Sequence, residues 1–513
     1  MLQYQEHLNA TQLQLVEKAI THSENPHFHG LCFNLPMGSG KTRIALILGV
    51  NIYPQFIVVC KKTLIANWIN EIQKLFGDLI KYEIVHRDYL RYNARYWRPH
   101  PQTRIIITTP EVISASYVDN NIKPEFLIEE DRDIFFNVPR RPLDTTGNVF
   151  HGTEWGGIFI DEAHTFTNCK TQTCQALSSL CRRHSWLLTG TILQEPKIER
   201  ICGFFLLLNQ TEIDSLKSCK KWIPSQDFVG LQRYCLTCPP PELNIQLFEH
   251  RVEYQMTRSE NLCFLLFHDI IEKWMEYYQE QKARLPPRDP ILAQIRGHML
   301  ALITYFRLSL LDPKVALTNL LNKIQQTPVL ASLGTNLSYM NDLLTEQPDI
   351  STRRKKLYSI IDSHPDERII VFGSFTSVFD SFILDRPTEK LTSQMSARQR
   401  EDTLNRFRQS DNGVLFLTYQ LGAEGLNLQE ANVIIHLDLY WNAGRQEQAL
   451  ARSYRYGQTK PVHRYFIISD TGFERGLLTK QDEKLEIIDD INEGSVRSLR
   501  QSSLSFVEWV GGE

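Results

Sequence analysis

The chain has 513 residues, too many for one hydrophobic core, and its 42% hydrophobic and 22% charged content excludes a disordered or fibrous class. A formal net charge of −3 excludes recognition of nucleic acid by overall charge, so any such surface is expected as a local groove. Ten cysteines without a repeating framework, no basic-then-apolar leader in Met1 to His7, and no apolar run longer than one such as Ile201 to Leu208 predict a soluble, reducing, intracellular setting.

In chain order, Leu31-Cys32-Phe33 reads as a short strand that runs into Leu35-Pro36-Met37-Gly38-Ser39-Gly40-Lys41-Thr42, with a helical pattern from Arg43 to Val50. Phe56 to Cys60, Arg104 to Thr108, Gly157 to Ile160 and Ser185 to Leu188 are apolar, β-branched runs expected as buried parallel strands. Leu64 to Phe76 is expected as a crossover helix, and the polar, Pro-containing stretch from Asp119 to Gly152 as a surface excursion. From about 211 to 345 strand patterns disappear, and long helices are expected over Leu262 to Leu285 and Ile291 to Leu311. Strands are expected again at Arg368 to Phe372, Val414 to Leu417 and Val433 to Leu437, with helices over Ala397 to Arg408 and Arg445 to Arg455. The expected fold class is α/β: two parallel-sheet lobes, 1–210 and 346–490, with a helical insert at 211–345 and a tail at 491–513.

Strand, glycine loop and helix together make a phosphate cradle. Backbone N–H groups of Gly38, Ser39 and Gly40 curl around a phosphate at a helix N-terminus, Lys41 reaches the terminal phosphates, and Thr42 ligates Mg²⁺. Leu35 stands where the strict pattern has its first glycine. Asp161-Glu162-Ala163-His164 follows a buried strand, which suits Asp161 to the metal and Glu162 to the general base for water. Arg452 and Arg455 are spaced i, i+3, which on a helix presents two guanidiniums on one face, suited to charge on a transferring phosphoryl group.

With these motifs in place the chain resembles a superfamily-2 helicase-type ATPase, and within it the Snf2-like branch. Val58 to Glu71 is similar to motif Ia, Ile106-Ile107-Thr108-Thr109 to motif Ib, Leu188 to Gln194 to motif III with Ile192 in place of proline, and Gly422 to Leu428 to motif V. Trp441-Asn442 and the run Gln448 to Val462, containing Gly457-Gln458-Thr459-Lys460-Pro461, resemble the Snf2 form of motif VI. So compact a chain resembles the Snf2-like ATPases of large DNA viruses as much as a cellular repair or remodelling factor.

The resemblance implies two RecA-like lobes, with ATP and Mg²⁺ held at the lobe interface and Gln448, Arg452 and Arg455 supplied from the second. It implies that Gly425 contacts nucleotide and that a glutamine upstream recognises adenine: Gln12, with Gln5 and Gln14 as competitors. It places Lys61, Thr63, Thr108, Ser374 and Thr418 on nucleic-acid phosphates, and His164, Thr189, Gly190 and Thr191 in the coupling of hydrolysis to that groove. The implied activity is ATP-dependent translocation by a monomeric motor, with duplex DNA favoured over RNA and no membrane partner. A strand-separating helicase and a non-hydrolysing nucleic-acid scaffold are the alternatives. Cys235-Leu236-Thr237-Cys238 has ligand spacing, but no second such pair completes a zinc site.

Overall fold

The computed structural model describes residues 2–36, 38–90, 97–119, 149–192, 197–210, 215–225, 233–238, 245–286, 289–327, 329–330, 336–422, 426, 428–455 and 457–493. The chain forms two compact units, one of Met1–Glu242 with Lys484–Arg500 and one of Leu243–Glu483 with Gln501–Glu513, so that the last helix begins in the second and ends in the first. The glycine loop and the Asp161-Glu162 pair belong to the first unit, and Arg452 and Arg455 to the second.

In the first unit, β1 (Gly30–Asn34), β2 (Phe56–Val59), β3 (Tyr82–Val85), β4 (Ile105–Thr108), β5 (Trp155–Asp161), β6 (Arg182–Thr189) and β7 (Cys235–Thr237) form one sheet. Its strand order is β3-β4-β2-β5-β6-β1-β7, and every pairing is parallel. The helices α1 (Ala10–Ser23), α2 (Lys41–Ile52), α3 (Ile65–Phe76), α4 (Pro110–Asp119), α5 (Gln172–Ser178), α6 (Ile198–Leu207) and α7 (Leu216–Ser225) complete it.

Strands that read as continuous apolar runs are buried on both faces. Ile57, Val59, Ile106, Ile158, Ile160 and Leu187 enter one core, and Phe56, Val58, Ile105, Ile107, Phe159, Trp186 and Leu188 the other. The strands β3 and β7 escape a pattern reading because one carries Glu83 at its centre and the other has three residues at the sheet edge. The expected surface excursion ends differently, since Phe150 and His151 are fully buried.

His151 accounts for a pH-dependent part of this unit's stability. Its ring bonds Ser116 Oγ at 2.8 Å and Ser179 Oγ at 3.1 Å, and burial holds its pKa down to about 4 from 6.5. The unfolded chain takes up the proton first, so the contribution is complete above 6.5 and is lost as pH falls toward 4. Between pH 7 and pH 5 the loss is about 2 kcal/mol. Urea unfolding at both pH values is expected to show a smaller pH dependence in His151→Gln than in the wild type.

In the second unit, β8 (Leu247–Tyr254), β9 (Ile369–Gly373), β10 (Thr388–Leu391), β11 (Val414–Thr418), β12 (Val433–His436) and β13 (Val462–Ser469) form a second sheet. Its order is β10-β11-β9-β12-β13-β8, again wholly parallel. The stretch expected to lack strands therefore supplies β7 to the first sheet and β8 to the second. In β8 the half-buried alternation Leu247-Phe248-Glu249-His250-Arg251-Val252-Glu253-Tyr254 hides a strand among charges.

The helical stretch comprises α8 (Arg258–Arg284), α9 (Pro290–Ser309), α10 (Pro313–Gln326) and α11 (Leu337–Glu346). Capping explains its starts: Thr257 and Glu260 form a capping box, and Asp289 and Asp312 cap helices that open on proline. Phe267, Trp274, Leu302 and Leu317 share one core with Ile369, Val371, Val414 and Phe416 of the sheet. The chain continues through α12 (Thr352–Asp362), α13 (Ala397–Gln409), α14 (Tyr419–Gly422), α15 (Ala443–Leu450) and α16 (Gly472–Glu493). The expected helix over Arg445 to Arg455 stops at Leu450. Among the described residues no helix is long and apolar enough to cross a membrane, and all ten cysteines are free.

Candidate nucleotide-hydrolysis site

The first unit concentrates its chemistry at the carboxyl ends of three neighbouring strands, where an open parallel sheet presents its loops. Asn34, the last residue of β1, pairs in register with Thr189, the last of β6, and Leu188 beside it pairs with Asp161, the last of β5. The glycine loop, motif III and the acidic pair thus leave adjacent strands.

Gly38 and Gly40 have φ of 80° and 82°, left-handed conformations that side chains adopt only at a cost. A Cβ on Gly40 would lie 2.4 Å from Gln12 Nε2, whereas one on Gly38 would meet nothing within 4 Å. Lys41 and Thr42 open α2, and the Lys41 ammonium donates to the carbonyls of Leu35 at 2.9 Å and Pro36 at 3.2 Å. It is held inside the curl of the loop. Ser39 Oγ is buried with no hydrogen-bond partner among the described residues.

Gln12 meets this loop without presenting a free amide. Its Nε2 donates to Ser39 O at 2.8 Å and its Oε1 accepts from Asn9 N–H at 3.1 Å, closing the capping box of α1. The glutamine expected to read adenine ties the first helix to the phosphate loop.

Asp161 is 8% exposed, and each carboxylate oxygen accepts one hydrogen bond: Oδ2 from Trp68 Nε1 at 2.9 Å and Oδ1 from Glu162 N–H at 3.0 Å. Burial, reinforced by the charge of Glu162, pushes its pKa up to about 6 against the opposing pull of Trp68 and Lys41. Two adjacent carboxylates with one lysine nearby, and lone pairs remaining on Asp161, fit a divalent cation. Glu162 adopts φ 49° and ψ 44°, a strained left-handed conformation of the kind that gathers at functional sites, and it begins the short turn Ala163–Phe166.

His164, 2% exposed, continues the line. Its Nδ1 lies 3.4 Å from Glu162 Oε2 and 2.7 Å from Thr189 Oγ1, and burial holds its pKa down to about 4, so the ring is neutral. Thr189 Oγ1 in turn donates to Thr191 O at 2.5 Å. His164, its ring 3.4 Å from the acidic pair, is thereby hydrogen-bonded to motif III, including the loop past Gly190.

The positions expected on nucleic acid divide. Thr63 is exposed in the turn Lys62–Leu64, and Lys61 is half-buried before it. Thr108 departs from expectation: it is fully buried, and its hydroxyl donates to Val85 O at 3.0 Å, because β4 is an inner strand covered on both faces. In the second unit, Ser374 follows β9 and Thr418 ends β11. The Ser374 amide donates to Asp438 Oδ1 at 2.8 Å, and its hydroxyl accepts from Arg307 at 3.0 Å, a tie from α9 that spacing alone does not reveal. Leu421 N–H points at Thr418 Oγ1 at 3.4 Å.

The two arginines do not share a helix face. Both lie past the end of α15, in the turns that follow Leu450. Arg452 is 6% exposed and donates from Nε to Gly422 O at 2.7 Å, while Leu428 N–H donates to Arg452 O at 3.2 Å. Arg455 is half-buried, burial lowers its pKa, and its Nε has no hydrogen-bond partner among the described residues. Gln458 builds the turn beyond them, donating to Gln429 O at 2.9 Å and Ala431 O at 3.0 Å. Gln448 is half-buried on α15, and Gly425 lies outside the described residues.

Comparison with known proteins matches residues 9–261 to the SNF2-related domain and residues 352–457 to the helicase conserved C-terminal domain. A putative helicase, 172L, of Invertebrate iridescent virus 6 is 25% identical over 88% of this chain and 82% of its own length. Transcription termination factor 2 of Drosophila melanogaster is 24% identical over 86% of this chain, which spans about half (49%) of the fly protein. Among solved structures, the Sulfolobus solfataricus SWI2/SNF2 ATPase core in complex with dsDNA aligns over 95% of this chain and 93% of that one, at 19% identity and a TM-score of 0.37.

A SNF2-related domain followed by a helicase C-terminal domain is the two-part engine of a helicase-type ATPase, an enzyme that uses ATP. The chain belongs to the Snf2 family.

Proposed function

We propose that the protein is an ATP-driven motor that moves along double-stranded DNA with little strand separation. One observation carries this reading: the phosphate loop, acidic pair and motif III converge on three adjacent strand ends, in a chain whose second unit holds the Trp441-Asn442 to Val462 run. The glycine loop and Lys41 bind the phosphates of ATP. Thr42 and Asp161 would hold Mg²⁺, which when bound neutralises charge on the phosphate oxygens. Glu162 orients the attacking water, and Arg455, with Gln448 nearby on α15, answers the charge that develops during transfer. The line from Glu162 through His164 to Thr189 and Thr191 links the γ-phosphate site to motif III.

Lys61, Thr63, Ser374 and Thr418 supply phosphate contacts that position a strand without reading its sequence. Phosphate loop and arginines belong to separate units, so turnover requires both, and the nucleotide cycle drives movement along the strand.

The test is ATP turnover with duplex DNA, single-stranded DNA and RNA. Duplex DNA is expected to stimulate most, displacement of a tailed duplex to be weak, and Lys41→Ala to abolish turnover. Equal stimulation by RNA with efficient unwinding would overturn the reading in favour of a strand-separating helicase. Turnover in the wild type no faster than in Lys41→Ala would leave a nucleic-acid scaffold.

A further inference from the structure

We propose that Trp68 and Glu71, within the run that resembles a nucleic-acid motif, are positioning residues of the ATP site; this rests on the hydrolytic reading above. They lie i, i+3 on α3 and so share a face. Trp68 is 1% exposed and its indole donates to Asp161 Oδ2 at 2.9 Å. Glu71 Oε1 accepts from Arg43 Nε at 2.7 Å, and Arg43 directly follows Thr42 in the first turn of α2. One rigid helix therefore grips both halves of the phosphate chemistry: the end of β5, which carries the metal carboxylate, and the start of α2, which carries the phosphate loop.

The grip is firm because Ile65, Ile72, Leu75 and Phe76 sink the rest of α3 into the same core as Ile44, Ile47 and Leu48 of α2. The indole N–H is a donor only, on a ring fixed by packing. With Glu162 N–H on the other oxygen, it determines which carboxylate lone pairs remain for a cation. Glu71 fixes the roll of α2 through Arg43, which also donates to His7 O at 3.3 Å. Lys61 and Thr63 lie immediately before α3, so a strand bound there bears on the helix that orients Asp161 and α2. That gives nucleic acid a mechanical route to the hydrolytic site.

The experiment measures binding of a fluorescent ADP analogue to the full chain with and without Mg²⁺, alongside kcat, KM for ATP and melting temperature. Trp68→Phe keeps the ring packing and deletes the donor. It is expected to raise the Mg²⁺ concentration for half-maximal tightening by roughly 10-fold and to lower kcat by roughly 10- to 100-fold, with Mg²⁺-free affinity unchanged. Glu71→Gln, at a side chain 19% exposed, keeps the shape and is expected to weaken Mg²⁺-free binding several-fold.

Wild-type Mg²⁺ dependence in Trp68→Phe overturns the proposal, as does an equal loss with and without Mg²⁺, which marks a merely structural role. If Trp68→Phe does not fold, Glu71→Gln decides, and unchanged Mg²⁺-free binding in it overturns the proposal. A wild type whose nucleotide binding ignores Mg²⁺ overturns the hydrolytic reading first, and the positioning roles fall with it.

Discussion

Arg455→Ala is expected to lower kcat by roughly 10³-fold or more while nucleotide binding and melting temperature stay near wild type. An arginine that meets charge only as it develops raises the barrier when lost and leaves the ground state alone. The two arginines are alike in sequence, but their surroundings separate them. Arg455 is half-buried with its Nε unpartnered among the described residues, whereas Arg452 is buried and bonded to the carbonyl of Gly422. Removing Arg452 takes away a charged hydrogen bond of about 1.5–3 kcal/mol between segments thirty residues apart, so Arg452→Ala is expected to lower the melting temperature together with activity. Steady-state kinetics, nucleotide titration and thermal unfolding of the two variants make the comparison. Equal loss of stability in both, or a loss of binding that accounts for the Arg455→Ala rate, would remove Arg455 from the role proposed for it.

The same pair shows where sequence reading stops. Spacing places Arg452 and Arg455 in one motif, but the geometry depends on where the helix ends, and nothing in Gln448-Ala449-Leu450-Ala451 announces a stop at Leu450. Every inner strand but β13 is legible because burial on both faces demands unbroken apolar runs, as in Ile105-Ile106-Ile107 and Val414-Leu415-Phe416-Leu417, whereas β13 is only half-buried at His463, Tyr465 and Phe466. Edge strands β3, β7 and β8 are not, because a strand covered on one side tolerates Glu83, Glu249 and Glu253. Lys41, Asp161 and Glu162 are legible because phosphate chemistry requires those residue types at a strand end. Their supports are not: the Trp68 indole, the Arg43–Glu71 pair and the Arg307 tie to Ser374 become visible only once helices are placed beside strands. Thr108 fails for the converse reason, since the inner position that makes its strand easy to read also buries its hydroxyl.

Arg353→Met is expected to destabilise the second unit by about 3–5 kcal/mol, lowering its melting temperature by roughly 10 °C. Arg353, on α12, has a fully buried side chain that reaches three segments distant in sequence. Its Nε donates to Tyr254 OH at 2.9 Å, one terminal nitrogen to Leu437 O at 3.0 Å, and the other to Glu474 on α16. Burial alone would lower its pKa, but Glu474 and Tyr254 more than reverse that and raise it, so the guanidinium stays charged. Glu474 also accepts from Ser469 N–H at 2.7 Å and Ser469 Oγ at 2.6 Å at the end of β13. One ion pair thus ties the ends of β8, β12 and β13 to α12 and α16. Methionine matches the side chain's bulk, but it leaves the Glu474 carboxylate buried without its cation, and that uncompensated charge is the larger part of the cost. Arg353→Met combined with Glu474→Gln is therefore expected to recover stability relative to Arg353→Met alone. Calorimetry of the two would show no such recovery if Arg353 contributed only packing.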